Sequence, residues 1–193
     1  MISTPLWVTV DEVVDLNRHV IAKSPIIGEP FGLTDPAALG SAVARPIQHF
    51  NYGPEDTQDD LVLLGAKLCI GISEAQAFRQ GNKRTGFAAM EMFFNLNSYE
   101  ISHAAVGQVA ELIMRSAHPD HAQRIDDEEF AEGLDPYVVD FNDTITMGGL
   151  VSAGKMSQIA LALSGVTVQG VTIAEILNPP KWTSLGLNRE DDA

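Results

Sequence analysis

The sequence predicts an all-α fold, on three observations. Apolar residues recur at helical spacing in successive segments up to residue 117, and two of these segments open on a capping signal. Two stretches, 59–76 and 82–97, are apolar almost all round and read as a central, buried helix pair. No stretch before residue 142 alternates in the manner of a strand. The 193 residues suffice for one domain with a real core plus an extension.

Each element has its own justification. Thr9-Val10-Asp11-Glu12 fits a capping box. Val13, Leu16, Val20 and Ile21 then share one face, which predicts a helix over about 10–23. PIIGEPFGLTDP reads as a loop, punctuated by Pro25, Gly28, Pro30 and Gly32. Asp35 caps a second helix with Pro36 at its first position. That helix is expected to cover AALGSAVA and to stop before Pro46. RPIQHFNYGPEDTQ, residues 45–58, is expected to be a loop, in which Phe50 and Tyr52 form either a binding flap or a fold-back onto the core.

The third helix begins at Asp59 and Asp60, acids that suit the positive end of a helix dipole. The fourth carries Phe87, Ala88, Ala89, Met90, Met92, Phe93, Phe94 and Leu96, and Asn97-Ser98 ends it. The fifth, over about 103–117, presents Val106, Val109, Ala110, Ile113 and Met114. A short acidic helix follows near 126–134. After Asn142 the chain becomes rich in Gly, Val, Ile and Thr and poor in charge. Two units are therefore expected: a helical domain over 1–142 and a small C-terminal extension over 143–193. In the extension, Lys155 to Leu163 fits a helix, VTVQGVTI alternates as a hairpin would, and LNREDDA reads as a solvated end.

The net charge of −14 argues against nucleic acid or an anionic membrane as partner, because binding to phosphate-rich surfaces rests on Lys and Arg. A single bound nucleotide stays open, since a local cationic pocket acts within a screening length of about 8–10 Å. The one cysteine, Cys69, permits no intrachain disulfide and reads as a buried thiol. MISTPLWVTVDEV lacks the basic start and long apolar run of a signal peptide. No apolar run reaches the 18 or so residues a membrane helix needs. The expected compartment is the cytoplasm.

GNKRTG, beginning at Gly81, carries the chemistry. Gly81 allows a tight turn just before a helix. The first amides of that helix have no internal partner and lie at the positive end of its dipole, so an anion is favoured there. Asn82 can hold the turn or reach a ligand. Lys83 and Arg84 place two cations in the first turn, which is unfavourable for the helix itself. A local cost of that kind is what a functional site leaves in a sequence. The competing reading is two surface cations at a helix start.

AFRQGNKRTGFAAM resembles the signature loop and helix of the Fic/Doc (Fido) family, in its death-on-curing branch. The family pattern runs histidine, any residue, phenylalanine, any residue, an acid or its amide, glycine or alanine, asparagine, lysine or glycine, then arginine. Phe78, Gly81, Asn82, Lys83 and Arg84 match it. GLTDPAALGSAVARP and NLNSYEI resemble flanking segments of the branch, so that the likeness spans about residues 6–140. The resemblance implies an all-α Fido domain in which Phe78 anchors the loop and Gly81, Asn82, Lys83 and Arg84 bind nucleotide phosphates. It implies transfer of a phosphate-containing group, from a nucleoside triphosphate such as ATP with Mg²⁺, to a hydroxyl of a target protein. AMP transfer is the commoner chemistry of the family. The death-on-curing branch resembles a kinase for a translation factor, elongation factor Tu, and acts as a toxin held by an antitoxin. Lys83, where adenylylating members usually have glycine, and Phe87, where they usually have a second arginine, place this chain nearer that branch.

Two positions depart from the pattern. Gln76 stands where the family has its general-base histidine, and a carboxamide has no usable pKa for that task. Gln80 stands where the family has an acid that orients a divalent metal, and a neutral amide is a weaker ligand for Mg²⁺ than a carboxylate. Of His19, His49, His103, His118 and His121, only His49 falls in the expected flap; Lys83 reads as a phosphate ligand rather than a base. Three readings follow: a Doc-type transferase impaired at its base, a Fido pseudoenzyme that binds nucleotide or a protein partner, and a scaffold whose tail completes a new pocket. The tail either packs on the domain or regulates it. It lacks the Ser/Thr-x-x-x-Glu inhibitory pattern of other Fic proteins, since Thr172 and Glu175 are three apart.

Overall fold

The computed structural model describes residues 4–24, 28–102, 105–118 and 120–140. Among these, six α-helices and one two-stranded sheet account for the architecture, as an all-α domain requires. Helix α1, Val10–Ala22, starts on the expected capping box: the Glu12 amide donates to Thr9 Oγ1 and the Thr9 amide donates to Glu12 Oε2. Its buried face is Val13, Asn17 and Ile21. These positions are four residues apart, so a carboxamide lies at the centre of an otherwise apolar stripe.

Helix α2 spans Pro36–Tyr52, with Asp35 Oδ1 accepting from the Ala38 amide. It does not stop before Pro46 but runs through it. Pro46 cannot donate to the Ala42 carbonyl, which would normally end or kink a helix. Here Pro46 is buried, and the Ala42 carbonyl faces the next helix at Gly71, where a Cβ would stand 3.3 Å away. Packing along this close approach carries the helix past the missing bond. Residues 45–52 are therefore helical rather than part of a loop, and the connection is reduced to 53–60. Phe50 packs edge-on against Trp7 at 5.7 Å, which is the fold-back reading, while Tyr52 is exposed.

Helix α3, Leu61–Ala75, and helix α4, Asn82–Leu96, form the expected central pair. α3 is buried without a break from Leu63 to Ser73 and meets α2, α4 and two later helices. Two glycines set the pair's spacing. A Cβ on Gly86 would stand 2.5 Å from the Cys69 carbonyl oxygen, and one on Gly65 would stand 2.5 Å from the Phe94 ring. Asn97 ends α4 and latches the N-terminal segment: its Nδ2 donates to the Leu6 carbonyl and its Oδ1 accepts from the Leu6 amide.

The chain then forms β1, Tyr99–Ile101, which pairs antiparallel with β2, Val138–Asp140. No strand was expected before residue 142. Three residues per strand are too few for alternation to register, and the partners lie 37 positions apart in register at Ile101 and Val138. Helix α5, Val106–Ser116, turns Val109, Leu112 and Ile113 inward but leaves Met114 exposed, against expectation. Met114 follows Ile113 by one residue, about 100° around the helix, which takes it off the buried stripe. The Val106 side chain lies outside the described residues. Helix α6, Asp127–Leu134, carries its own capping box from Asp126 and Glu129 and buries Phe130 and Leu134. One carboxylate oxygen, Asp127 Oδ2, joins α6 to α2 and α3, accepting from Arg45 at 2.7 Å and from Lys67 at 3.0 Å. The expected extension over 143–193, with its helix and hairpin, lies outside the described residues, as does His103. No helix among the described residues is long and apolar enough to cross a membrane.

Candidate functional site

The loop between α3 and α4 is held on three sides. On its own side, Asn82 is buried and bonds back to Phe78 twice, Oδ1 accepting from the Phe78 amide at 3.0 Å and Nδ2 donating to the Phe78 carbonyl at 2.8 Å. The Asn82 side chain thus holds the turn rather than pointing outward. Phe78 is buried in the core. Gly81 takes a φ of 77°, the left-handed region that glycine enters freely, and so delivers the chain into α4.

From α1, Asn17 reaches under the loop. It is fully buried, and its Nδ2 donates to the Gln80 carbonyl at 3.0 Å and to Thr85 Oγ1 at 2.9 Å. A Cβ on Gly81 would press on Ile21 Cδ1 at 3.0 Å and Asn17 Nδ2 at 3.2 Å, so α1 and the glycine turn fit closely. From the α1–α2 connection, residues 32–35 are strapped to the loop. Leu33 and Phe78 form an antiparallel bridge, the Arg79 amide donates to the Gly32 carbonyl, and the Thr34 and Asp35 amides both donate to the Ala77 carbonyl. The Arg79 side chain lies over Gly32, where a Cβ would meet its Cδ at 2.8 Å. The sequence reading assigned no role to Asn17, Thr85, Arg79 or Glu29.

The functional side chains fall on this frame as follows. The N-cap of α4 is Gly81, which has no side chain to satisfy the first amides in the way Asp60 satisfies those of α3. Lys83 is half-buried and makes no ion pair among the described residues. Arg84 is exposed and pairs with Glu29, Nη2 to Oε1 at 2.5 Å. The Glu29 side chain is only 4% exposed. The Ser24 hydroxyl and the Arg84 guanidinium beside it hold its carboxyl below the ordinary range, against the upward pull of burial.

Gln76 caps the C-terminus of α3 in the left-handed conformation, φ 48° and ψ 30°, and its Nε2 donates to the Ser73 carbonyl at 3.1 Å. A residue with a Cβ pays about 1 kcal/mol or more in that conformation; the amide recovers part of it by satisfying a terminal carbonyl. Gln80 is exposed. Among the described residues, no histidine bonds to the loop. His49 lies fourteen residues along α2 from Asp35, about 21 Å by helical rise, and its Nε2 lies 3.3 Å from the Thr57 carbonyl. His19 Nδ1 lies 2.6 Å from the Asp15 carbonyl oxygen, and His118 Nδ1 accepts from the Asp120 amide. A depression of about 360 Å³ is lined by Arg45, Gln48, His49, Tyr52, Lys67 and Asp127. It belongs to that distal end of α2, and its cations are already paired with Asp127.

Chemically, the loop offers the α4 amides, an ammonium with no ion pair among the described residues and a guanidinium, which together suit an anion. It offers no base. It also offers a divalent cation little: among the described residues no group of three or more His, Cys, Asp or Glu could hold a metal ion. No curated protein and no solved structure matches the chain. Residues 7–94, which hold α1 to α3, the loop and nearly all of α4, match the model of the Fic/DOC family.

Proposed function

We propose that the loop from Gln76 to Arg84 is a cradle for the phosphates of a nucleoside triphosphate, ATP in the first instance. Its ligands are the α4 amides, Lys83 and Arg84, with Gly81 and Asn82 setting the turn. The observation that carries this reading is the N-terminus of α4. It follows a left-handed glycine, lacks a side-chain cap and carries two cations in its first turn, an arrangement that costs helix stability unless an anion binds. The family match supports a coarse activity, transfer of a nucleotide-derived group to a protein. On this reading the chain is a Doc-type member, and its acceptor is a hydroxyl of a translation factor. An antitoxin holds it in check in the cytoplasm. Catalysis is impaired because Gln76 has no proton-accepting nitrogen of suitable pKa.

Gln76 favours a second reading. Its side chain is turned to the end of α3 and bonded there, as in a pseudoenzyme that retains the cradle and binds nucleotide or a partner protein without turnover. Calorimetry with ATP on this chain and on Lys83→Ala/Arg84→Ala tests the cradle: binding lost in the double variant supports it, and no binding to either protein sinks it. Gln76→His with labelled ATP and a cell extract then separates the two readings. Label transferred to a protein supports the impaired transferase; unchanged silence supports the pseudoenzyme.

A further inference from the structure

We propose that the cradle takes its phosphates as the metal-free polyanion, with no divalent cation held by the protein. This inference rests on the anion reading above. Mg²⁺ is a hard ion that is usually held through one or two carboxylates together with substrate phosphates and water. The loop presents none for it. Gln80 is exposed and neutral. Its backbone carbonyl, the other oxygen at that position, already accepts from Asn17 Nδ2 at 3.0 Å. Two described carboxylates lie on the 29–35 strap: Glu29 has Oε1 on Arg84 at 2.5 Å and Oε2 shut off from solvent, and Asp35 is engaged as the cap of α2, its Oδ1 accepting from the Ala38 amide. Glu74, two residues before Gln76, is turned toward Arg45 at 3.9 Å and Arg124 at 3.7 Å.

The start of α4 carries the half-buried Lys83, the exposed Arg84 and the helix amides, all donors. In a site of this kind a metal bound to the nucleotide has an electrostatic cost, and the loop itself carries no carboxylate to offset it. Mg²⁺ removes two negative charges from the triphosphate, and those charges are what the cations and the helix N-terminus attract. Mg²⁺ therefore weakens binding instead of supporting it.

The test is calorimetry of ATP with the full chain, in EDTA and in excess Mg²⁺ at matched ionic strength. The expected result is binding several-fold tighter in EDTA. Tighter binding in Mg²⁺ overturns this inference and leaves the cradle intact. Binding in neither condition overturns the cradle and this inference with it. A second arm uses Gln80→Asp, an exposed change that puts one carboxylate where the ion would sit. In that variant Mg²⁺ is expected to tighten ATP binding relative to EDTA. If the Mg²⁺ response is the same with Asp as with Gln, position 80 does not face the phosphates and the inference fails.

Discussion

Glu29 Oε1 and Arg84 Nη2 meet at 2.5 Å, and through them the α1–α2 connection places a carboxylate on one of the two cations that open α4. An anion arriving at the cradle competes with that carboxylate. Glu29→Gln is therefore expected to raise affinity for inorganic phosphate or ATP severalfold, as read by calorimetry. A fall in affinity would mean that Glu29 orients Arg84 rather than occupying it. The pair also carries a pH signature. The carboxyl titrates below its ordinary range in the folded protein, so its stabilising effect is present above the unfolded value near 4.3 and is lost as pH falls through the folded value. The stability difference between this chain and Glu29→Gln should accordingly begin to shrink in acid denaturation series as pH falls below the unfolded value and vanish only below the folded one.

Asn17 is the residue on which the loop's shape most depends from outside. Its Nδ2 serves both the Gln80 carbonyl and Thr85 Oγ1 from a fully buried position. Each such bond is worth about 1 kcal/mol net. Asn17→Ala removes both and leaves a gap, for an expected loss of about 2–3 kcal/mol in urea unfolding. Asn17→Leu restores volume without the donor. It should recover part of the stability while phosphate binding stays weak, because the loop is no longer pinned. If phosphate affinity recovers together with stability, Asn17 acts on the core and not on the loop.

The helices were legible in the sequence wherever periodicity and caps agreed. Thr9, Asp35 and the run from Leu63 to Ser73 all fall where local chemistry dictates. The misreading of α2 has a tertiary cause, a packing contact that overrides a local signal. Pro46 reads as a stop, yet α2 continues because it packs along Gly71 of α3. The sheet escaped notice because three residues show no period and their partners are remote in sequence. At the site, Gly81, Asn82, Lys83 and Arg84 were visible because they are contiguous. Asn17 and Glu29 were not, since nothing local links them to residues 63 and 55 positions away. One clue was available: Asn17 sits four residues after Val13 and four before Ile21, a polar residue at the centre of an apolar stripe.

Glycines that look alike in sequence should respond oppositely to alanine. A Cβ on Gly86 would stand 2.5 Å from the Cys69 carbonyl and 2.6 Å from Ser73 Oγ, so α3 and α4 would have to separate. Gly86→Ala is expected to destabilise by about 1–3 kcal/mol, the usual range for overpacking. Gly40, inside α2, has open space at its Cβ position. Gly40→Ala should stabilise by about 0.5–1 kcal/mol through helix propensity alone. Denaturant midpoints of the two variants check both signs, and a neutral Gly86→Ala would show that the helix pair is less closely apposed than these distances require.

Cys69 gives a probe of the same helix pair. It is fully buried in the middle of α3, and burial pushes its thiol up to about 12. At pH 8 the thiolate, the reactive form, is then about one part in ten thousand of the folded protein. Alkylation of the native chain is expected to stay far slower than that of urea-unfolded chain throughout pH 7 to 9, and only the unfolded chain should level off above an ordinary thiol value near 8.5. The sign for stability follows from the raised folded value. The protonated thiol's contribution is full below the unfolded pKa and is lost as pH rises through the folded one. Native reactivity that matches the unfolded control in rate and levels off near the same pH would place Cys69 within reach of solvent, and the buried α3–α4 seam would then have to open on the timescale of the reagent.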